Sequence, residues 1–297
     1  MSSNLTPLRY PGGKSRLTNF IKLILKENGL KGGVYAEPFA GGAGVAVNLL
    51  LDGYVRKIII NDIDPGVHAF WSCVLEHTDE FCQKIHSTKV DMTEWHKQRE
   101  IFNAQCADDI LELGFSFFFL NRTNRSGILN AGVIGGKNQT GKWKIDARYP
   151  KENLIGKIQS IAAFKNQIEL YNLDARNLIS TRLTKLKEDS LIYLDPPYFH
   201  KGKKLYLNAL NADDHVLIAH DVKTILKANW LISYDNTPEI CSLYRNHRQE
   251  TYSLNYTAGE RYFGSEVIIY SDDLVIAIVE NPFKFPKAKA EKALALA

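Results

Sequence analysis

The stretch Leu191-Ile192-Tyr193-Leu194-Asp195-Pro196-Pro197-Tyr198-Phe199 constrains this chain more than any other. Its apolar, β-favouring half reads as a buried strand. Prolines donate nothing to a sheet ladder, so the strand must stop at Asp195. An acid and an aromatic ring are thereby held on a stiff turn at the carboxyl end of a buried strand, where open α/β sheets bind their ligands. With each residue type at ~5% usage, Asp-Pro-Pro-Tyr arises by chance in roughly one chain of this length in several hundred. A bare strand-to-turn connection is the weaker reading, provided the rest of the chain supplies an electrophile.

Such a turn suits a planar amine such as the exocyclic nitrogen of adenine. Asp195 can accept one amine hydrogen and the fixed carbonyl of Pro196 the other. Two acceptors draw the nitrogen lone pair out of ring conjugation and make it available for attack. Tyr198 offers a flat face for stacking.

At 297 residues the chain suggests about two domains. Hydrophobic content of 45% and charged content of 24% are those of a soluble globular protein. No apolar run approaches ~18 residues, and Met1 to Pro7 lacks a charged-then-apolar leader pattern, so a cytoplasmic protein without membrane contact is expected. Four cysteines (Cys73, Cys82, Cys106, Cys241) form no C-x-x-C pair, and eight histidines make no metal-ligand spacing. Neither disulfide nor metal is expected.

Charge is concentrated in one segment. Phe115 to Ser160 carries eight bases and two acids, leaving 29 bases and 31 acids elsewhere. A positive stretch on a nearly neutral body is what a phosphate-binding surface needs.

Near the amino terminus, Leu8-Arg9-Tyr10-Pro11-Gly12-Gly13-Lys14 leads into a helical pattern. Val34 to Phe39 is a strand candidate, followed by the glycine turn Ala40-Gly41-Gly42-Ala43-Gly44 and a helix. Lys57 to Asn61 is a second strand ending at Asp62, an acid placed to bond ribose hydroxyls. Together these predict an adenosine-bearing cofactor, for which NAD and S-adenosylmethionine both qualify.

From Pro65 to about Leu120 the pattern is helical, with an aromatic run that reads as core. Asn121 to Gly141 is rich in glycine, asparagine and bases, and reads as a long functional loop or hairpin. Within this basic insert Arg122, Asn124, Arg125, Asn130, Lys137 and Lys142 are the expected DNA contacts. Strands are expected at Asn166 to Leu173 and Trp230 to Tyr234, and a β-rich end over Gln249 to Glu280, including Leu274 to Val279. A basic loop over Lys201 to Leu210 and a solvated tail complete the chain.

Taken in order, Arg9-Tyr10-Pro11-Gly12-Gly13-Lys14, Glu37-Pro38-Phe39-Ala40-Gly41-Gly42-Ala43-Gly44, Asn61-Asp62-Ile63-Asp64 and Asp195-Pro196-Pro197-Tyr198 resemble the Dam-like (D12 class) DNA adenine-N6 methyltransferases. The resemblance spans roughly Leu8 to Tyr270. It implies an α/β fold: a Rossmann-like S-adenosylmethionine-dependent methyltransferase sheet of about seven strands, with an inserted, mostly helical DNA-recognition domain. The implied division is 1–64 with 161–283 as catalytic domain, 65–160 as insert, and 284–297 as flexible tail. It also implies S-adenosylmethionine as methyl donor, double-stranded DNA as partner and no catalytic metal, with a cognate restriction endonuclease as a further candidate partner.

Carried over by motif, Tyr10 and Lys14 would line the cofactor pocket, and Phe39, Ala40 and Gly41 would form its glycine loop. Asp62 would hold the ribose and Asp174 the cofactor's adenine. Asp195, Pro196 and Tyr198 would form the catalytic pocket for a flipped adenine, with Asp195 also bordering the cofactor. The loop after Leu120-Asn121-Arg122 lacks the Phe-Asn-Val-Pro segment of the GATC-methylating branch, which puts GATC specificity in doubt. Competing readings are methyl transfer to another planar amine (cytosine, RNA or protein glutamine) and a non-catalytic DNA-binding relative. An acid at 195 favours adenine, since Asn-Pro-Pro-Tyr is typical of the glutamine-modifying relatives and Ser-Pro-Pro of the cytosine ones.

Overall fold

The structure is a computed structural model and describes residues 5–9, 14–104, 109–200, 210–256, 262–276 and 278–286. The chain divides into two compact units, one of residues 14–63 and 167–297 and one of residues 5–13 and 64–166. Residues 5–9 and 161–166, expected with the sheet, thus belong to the helical unit.

The first unit is built on seven strands: β1 (Val34–Glu37), β2 (Lys57–Asn61), β3 (Ile168–Tyr171), β4 (Ser190–Leu194), β5 (Asn229–Asp235), β6 (Gln249–Tyr256) and β7 (Tyr262–Tyr270). Their order is β3-β2-β1-β4-β5-β7-β6. The first five in that order are parallel, and β7 and β6 close the sheet as an antiparallel hairpin. Parallel strands covered on both faces must be apolar throughout, as Ile58-Ile59-Ile60 and Leu191-Ile192 are. The chain reverses its direction of strand addition between β1 and β4, and it is outside the carboxyl ends of the strands at such a point that open α/β sheets bind their ligands.

Helices α1 (Thr18–Glu27) and α2 (Gly44–Leu51) belong to this unit, as do three that follow the helical insert: α8 (Ala175–Thr181), α9 (Ala212–Ile225) and α10 (Pro238–Leu243). Leu274 to Val279, expected as strand, has none among its described residues. The Asn28 side chain instead takes both main-chain groups of Val275, donating to its carbonyl (2.8 Å) and accepting from its N–H (2.7 Å).

The second unit is helical: α3 (Pro65–Glu76), α4 (Thr78–Ser87), α5 (Met92–Ala104), α6 (Ile110–Thr123) and α7 (Lys151–Ala162). The Asp64 side chain caps α3 by accepting from the N–H groups of Gly66 and Val67. The aromatic run of α6 is core: Phe115, Phe118 and Phe119 are fully buried, and Phe118 stacks on Phe70 at 5.8 Å.

Candidate active site

Asp195 leaves β4 beside β5, where Leu194 pairs with Ile232, and this register brings Ser233 to it. The Ser233 hydroxyl donates to Asp195 Oδ1 at 2.8 Å and lies 2.7 Å from the Tyr193 hydroxyl. Lys14 Nζ is 3.3 Å from the same Oδ1. Both contacts fall on one oxygen, leaving Oδ2 of Asp195 for an incoming donor. Beyond the prolines, Asp235 at the end of β5 accepts from the N–H groups of Phe199 (2.9 Å) and His200 (3.3 Å) and pins the exit of the turn.

A second carboxylate completes the cluster. Glu266 on β7 stands opposite Asp235. It accepts from Lys14 Nζ at 2.7 Å through Oε2 and from the Tyr198 hydroxyl at 2.5 Å through Oε1. Lys14 Nζ also donates to the Tyr198 oxygen at 3.1 Å. Lys14 is 8% exposed, Glu266 1% and Tyr198 4%, so one buried ammonium serves two acids and a phenol. The ring of Tyr198 is held by its hydroxyl, and a base stacking on it must displace the side chains that cover it.

Burial raises the Asp195 carboxyl to about 6, against the pull of Lys14 and the Ser233 hydrogen bond, with Glu266 adding to the rise. Burial disfavours the charge on Lys14, but Asp195 and Glu266 outweigh it and hold its pKa well above the ordinary lysine value. The site therefore carries a fixed cation and a carboxyl that changes charge near neutrality.

The cofactor-side residues gather at the carboxyl ends of β1, β2 and β3. Gly41 adopts φ +45°, a left-handed conformation natural to glycine, and its N–H donates to Asp62 Oδ2 at 2.9 Å. The Ala40 N–H donates to the Asn61 carbonyl at 2.8 Å. Buried Asn61 ties the three strand ends together: its amide donates to the carbonyls of Pro38 (2.9 Å) and Leu173 (3.0 Å), and its Oδ1 accepts from the Leu173 N–H (2.9 Å). Glu37 is buried beneath the turn, accepting from the Tyr35 hydroxyl and the Ala46 N–H, and burial lifts its carboxyl to about 8. Phe39 is half-buried at this rim.

Asp174 is exposed and caps α8 through Oδ1, accepting from the N–H groups of Arg176 (3.0 Å) and Asn177 (3.3 Å). An acid at the end of β2 beside glycine main chain, and another just past β3, is a donor and acceptor set that fits a ribose diol and an amino-bearing base. Tyr10 lies outside the described residues, as does most of the 201–210 loop. No group of acids, histidines and cysteines able to hold a metal occurs among the described residues.

In the helical unit α6 runs on to Thr123, so Asn121, Arg122 and Thr123, expected in the loop, are helical, and the loop of residues 124–141 that follows is organised by two side-chain amides. Asn124 is fully buried: its Oδ1 accepts from Trp95 Nε1 at 2.8 Å, and its amide donates to the carbonyls of Ile128 (3.3 Å) and Leu129 (2.8 Å). Gln139 donates to the carbonyls of Ile134 and Gly136 and accepts from the Ile145 N–H. The expectation that Asn124 contacts DNA is corrected by this burial, because its side chain is occupied in folding the loop. Arg122 is half-buried, donating through Nε to the Arg148 carbonyl (2.6 Å) and through Nη1 to the Pro7 carbonyl (3.3 Å). Arg125, Asn130, Lys137 and Lys142 are exposed, and Lys142 lies 5.8 Å from the ring of Trp143, itself 63% exposed.

Glu266, Ser233 and Asp235 were missed by sequence reasoning. Glu266 had a signal, a lone acid immediately before the apolar run Val267-Ile268-Ile269-Tyr270. Ser233 and Asp235 had none, because only strand register brings them to the turn.

A mostly parallel seven-stranded sheet, a glycine turn bonded to the acid of the next strand, and an acid-Pro-Pro turn at the switch point define a Rossmann-like methyltransferase. The chain belongs to the D12 class N6 adenine-specific DNA methyltransferase family, which matches residues 10–258. Its activity is N6 methylation of adenine in DNA. The type II methyltransferase M.MjaIII of Methanocaldococcus jannaschii is 24% identical over 230 residues, covering 71% of this chain and 77% of that protein. A DNA adenine methylase of Vibrio cholerae is 23% identical over 264 residues, covering 84% and 88%. Among solved structures, a putative RNA methyltransferase from Pyrococcus horikoshii aligns with TM-score 0.41 at 11% identity, over 89% of this chain and 83% of that one. The rRNA methyltransferase aviRa of Streptomyces viridochromogenes aligns with TM-score 0.40 at 12% identity, over 91% and 92%.

Proposed function

We propose that this enzyme methylates the N6 amine of an adenine flipped out of double-stranded DNA, with Asp195, Pro196 and Tyr198 forming the pocket for the base. The observation that carries the reading is the placement of both protein contacts of Asp195 on Oδ1. Oδ2 then accepts one N6 hydrogen and the Pro196 carbonyl the other, which frees the nitrogen lone pair. Tyr198, fixed by Glu266 and Lys14, holds the ring plane.

S-adenosylmethionine supplies a methyl group already activated as a sulfonium, so the protein's work is to bind, orient and remove a proton. Asp62 would hold its ribose, Gly41 and Ala40 would lie along it with Phe39, and Asp174 would meet its adenine; Tyr10 and Lys14 would complete the pocket. The amine sheds one N–H proton after the new C–N bond forms, and Asp195, with its carboxyl near 6, is the group in place to take it.

The helical unit is the target-recognition insert. Arg122, Arg125, Asn130, Lys137 and Lys142 are its proposed DNA contacts, and flipping the adenine costs a few kcal/mol. Among the described residues no helix is long and apolar enough to cross a membrane. A DNA substrate supports a cytoplasmic enzyme, and the type II designation of one relative motivates a search for a restriction endonuclease partner.

The test is transfer of labelled methyl groups from S-adenosylmethionine to native and heat-denatured plasmid DNA, followed by digestion to nucleosides. Label in N6-methyldeoxyadenosine, from native DNA above all, is expected. Label in a cytosine product, or preference for denatured DNA, would overturn the reading.

A further inference from the structure

We infer that Tyr193 is a positioning residue for methyl transfer: through the hydroxyl of Ser233 it turns the Asp195 carboxylate so that Oδ2 faces the target amine. The inference rests on the functional reading above and deepens it.

Strand alternation brings the three residues together. Asp195 follows the last residue of β4, so Tyr193, two positions earlier, shares its face of the sheet. Tyr193 pairs with Leu231 and Leu194 with Ile232, which sets Ser233 beside Asp195 on that face. Tyr193 is the odd member of its strand, because Leu191, Ile192 and Leu194 are aliphatic and fully buried while it is itself buried. A phenylalanine would fill that volume, whereas a buried phenol needs a partner. Among the described residues its hydroxyl has one, Ser233 Oγ at 2.7 Å.

Counting hydrogens fixes the direction of these bonds. Ser233 carries a single hydroxyl hydrogen and gives it to Asp195 Oδ1 at 2.8 Å, since a carboxylate only accepts. The contact with Tyr193 is then made by the phenol hydrogen. Burial, then Asp195, hold the Tyr193 phenol well above its ordinary pKa, so it keeps that hydrogen across the working pH range. The result is a one-way series from Tyr193 to Ser233 to Asp195, in which each bond polarises the next. Ser233 is fully buried, so water does not compete for it.

Lys14 acts on Asp195 differently. Its Nζ stands 3.3 Å from Oδ1, farther than the serine, and also serves Glu266 at 2.7 Å and the Tyr198 hydroxyl at 3.1 Å. An ammonium shared in this way supplies charge, and the shorter bond from Ser233 sets which way the carboxylate faces. Glu266 on β7, Glu37 and Tyr35 on β1 and Tyr234 on β5 also act on Asp195 electrostatically. All of these are kept when Tyr193 loses only its hydroxyl.

The experiment is a double-mutant cycle over wild type, Tyr193→Phe, Ser233→Ala and the double variant, reading methyl transfer to plasmid DNA from about pH 5 to about pH 8 and melting temperature. The Ser233 bond holds Asp195 below the value that burial alone would give it. Ser233→Ala should therefore move the acid limb of kcat/KM up by about one pH unit. Tyr193→Phe should move it the same way by a smaller step, about 0.3 unit, and should lower kcat about fivefold above the limb. In the Ser233→Ala background the same substitution should change neither. There it should raise the melting temperature that Ser233→Ala lowered, because it removes the stranded phenol. A Tyr193→Phe enzyme equal to wild type in kcat and limb overturns the inference. So does an equal loss in both backgrounds, which is the mark of packing and not of action through Ser233. A wild-type enzyme that transfers no methyl group to DNA adenine overturns the functional reading itself, and this inference with it.

Discussion

Lys14 and Glu266, 252 residues apart in sequence, form a buried ion pair of 2.7 Å that fixes the hydroxyl of Tyr198 between them. Glu266 therefore acts on the base pocket through Lys14 and Tyr198 and is a positioning residue. Removing one partner of a buried ion pair costs up to about 3–5 kcal/mol, and Lys14 keeps Asp195 as its second acid, so Glu266→Ala should lower the melting temperature by a part of that cost. Glu266→Gln keeps the shape but removes the charge and exchanges one of the two acceptor oxygens for an amide donor, so Lys14 and Tyr198 no longer both keep their acceptor; kcat should fall about tenfold or more, ~1.4 kcal/mol, with S-adenosylmethionine affinity retained. Unchanged kcat in a folded Glu266→Gln enzyme contradicts this role.

The pH dependence follows from Asp195. With its carboxyl raised by burial to about 6, the acceptor form is lost below that pH, and kcat/KM should fall about tenfold per pH unit there. The folded state holds a proton on Asp195 between about pH 4 and 6, where the unfolded chain does not. Stability contributed at this residue accordingly rises as pH falls through that window, opposite in sign to a salt-bridged surface aspartate. A rate profile flat down to pH 4.5 would show the carboxyl to be unperturbed.

Asn61 makes a separable prediction on the cofactor side. Its three hydrogen bonds join the loops after β1 and β3, and Asn61→Ala removes them together. At ~1 kcal/mol each, the expected loss is about 3 kcal/mol of stability, with weaker S-adenosylmethionine binding by calorimetry. Asn61→Asp keeps the acceptor but turns a buried carboxylate oxygen on the Pro38 and Leu173 carbonyls, and should destabilise at least as much as Asn61→Ala.

The basic loop divides into residues that fold it and residues that leave it free. Asn124→Ala strands the buried indole N–H of Trp95, at about 1–3 kcal/mol, and should lower the melting temperature. Lys137→Ala and Lys142→Ala are surface changes and should move stability by less than ~0.5 kcal/mol while weakening duplex binding. Equal melting temperatures for all three would show that Asn124 does not organise the loop.

Much of the fold was legible because parallel strands and glycine turns leave local marks. The run Leu191 to Leu194 could only be a buried strand, Pro196 and Pro197 dictated its end, and Gly41 with Asp62 announced a strand-turn-helix-strand unit. What was hidden depends on distance along the chain. Ser233 and Asp235 reach the Asp195 turn through the β4–β5 register, and Glu266 through β7, none of which a local pattern encodes. Asn124 misled for a different reason: an asparagine in a glycine-rich basic loop looks exposed, and only the indole of Trp95, on α5, shows that it is core. Leu274 to Val279 looked like strand by composition, but its backbone groups at Val275 are satisfied by the side chain of Asn28.

The most direct measurement is methylation mapping of DNA from cells expressing the wild type and Asp195→Ala. The account expects N6-methyladenine at one short motif with the wild type and none with the variant. N6-methyladenine persisting at that motif in the variant, or none in either, would contradict the assignment of Asp195 as the acceptor of the target amine.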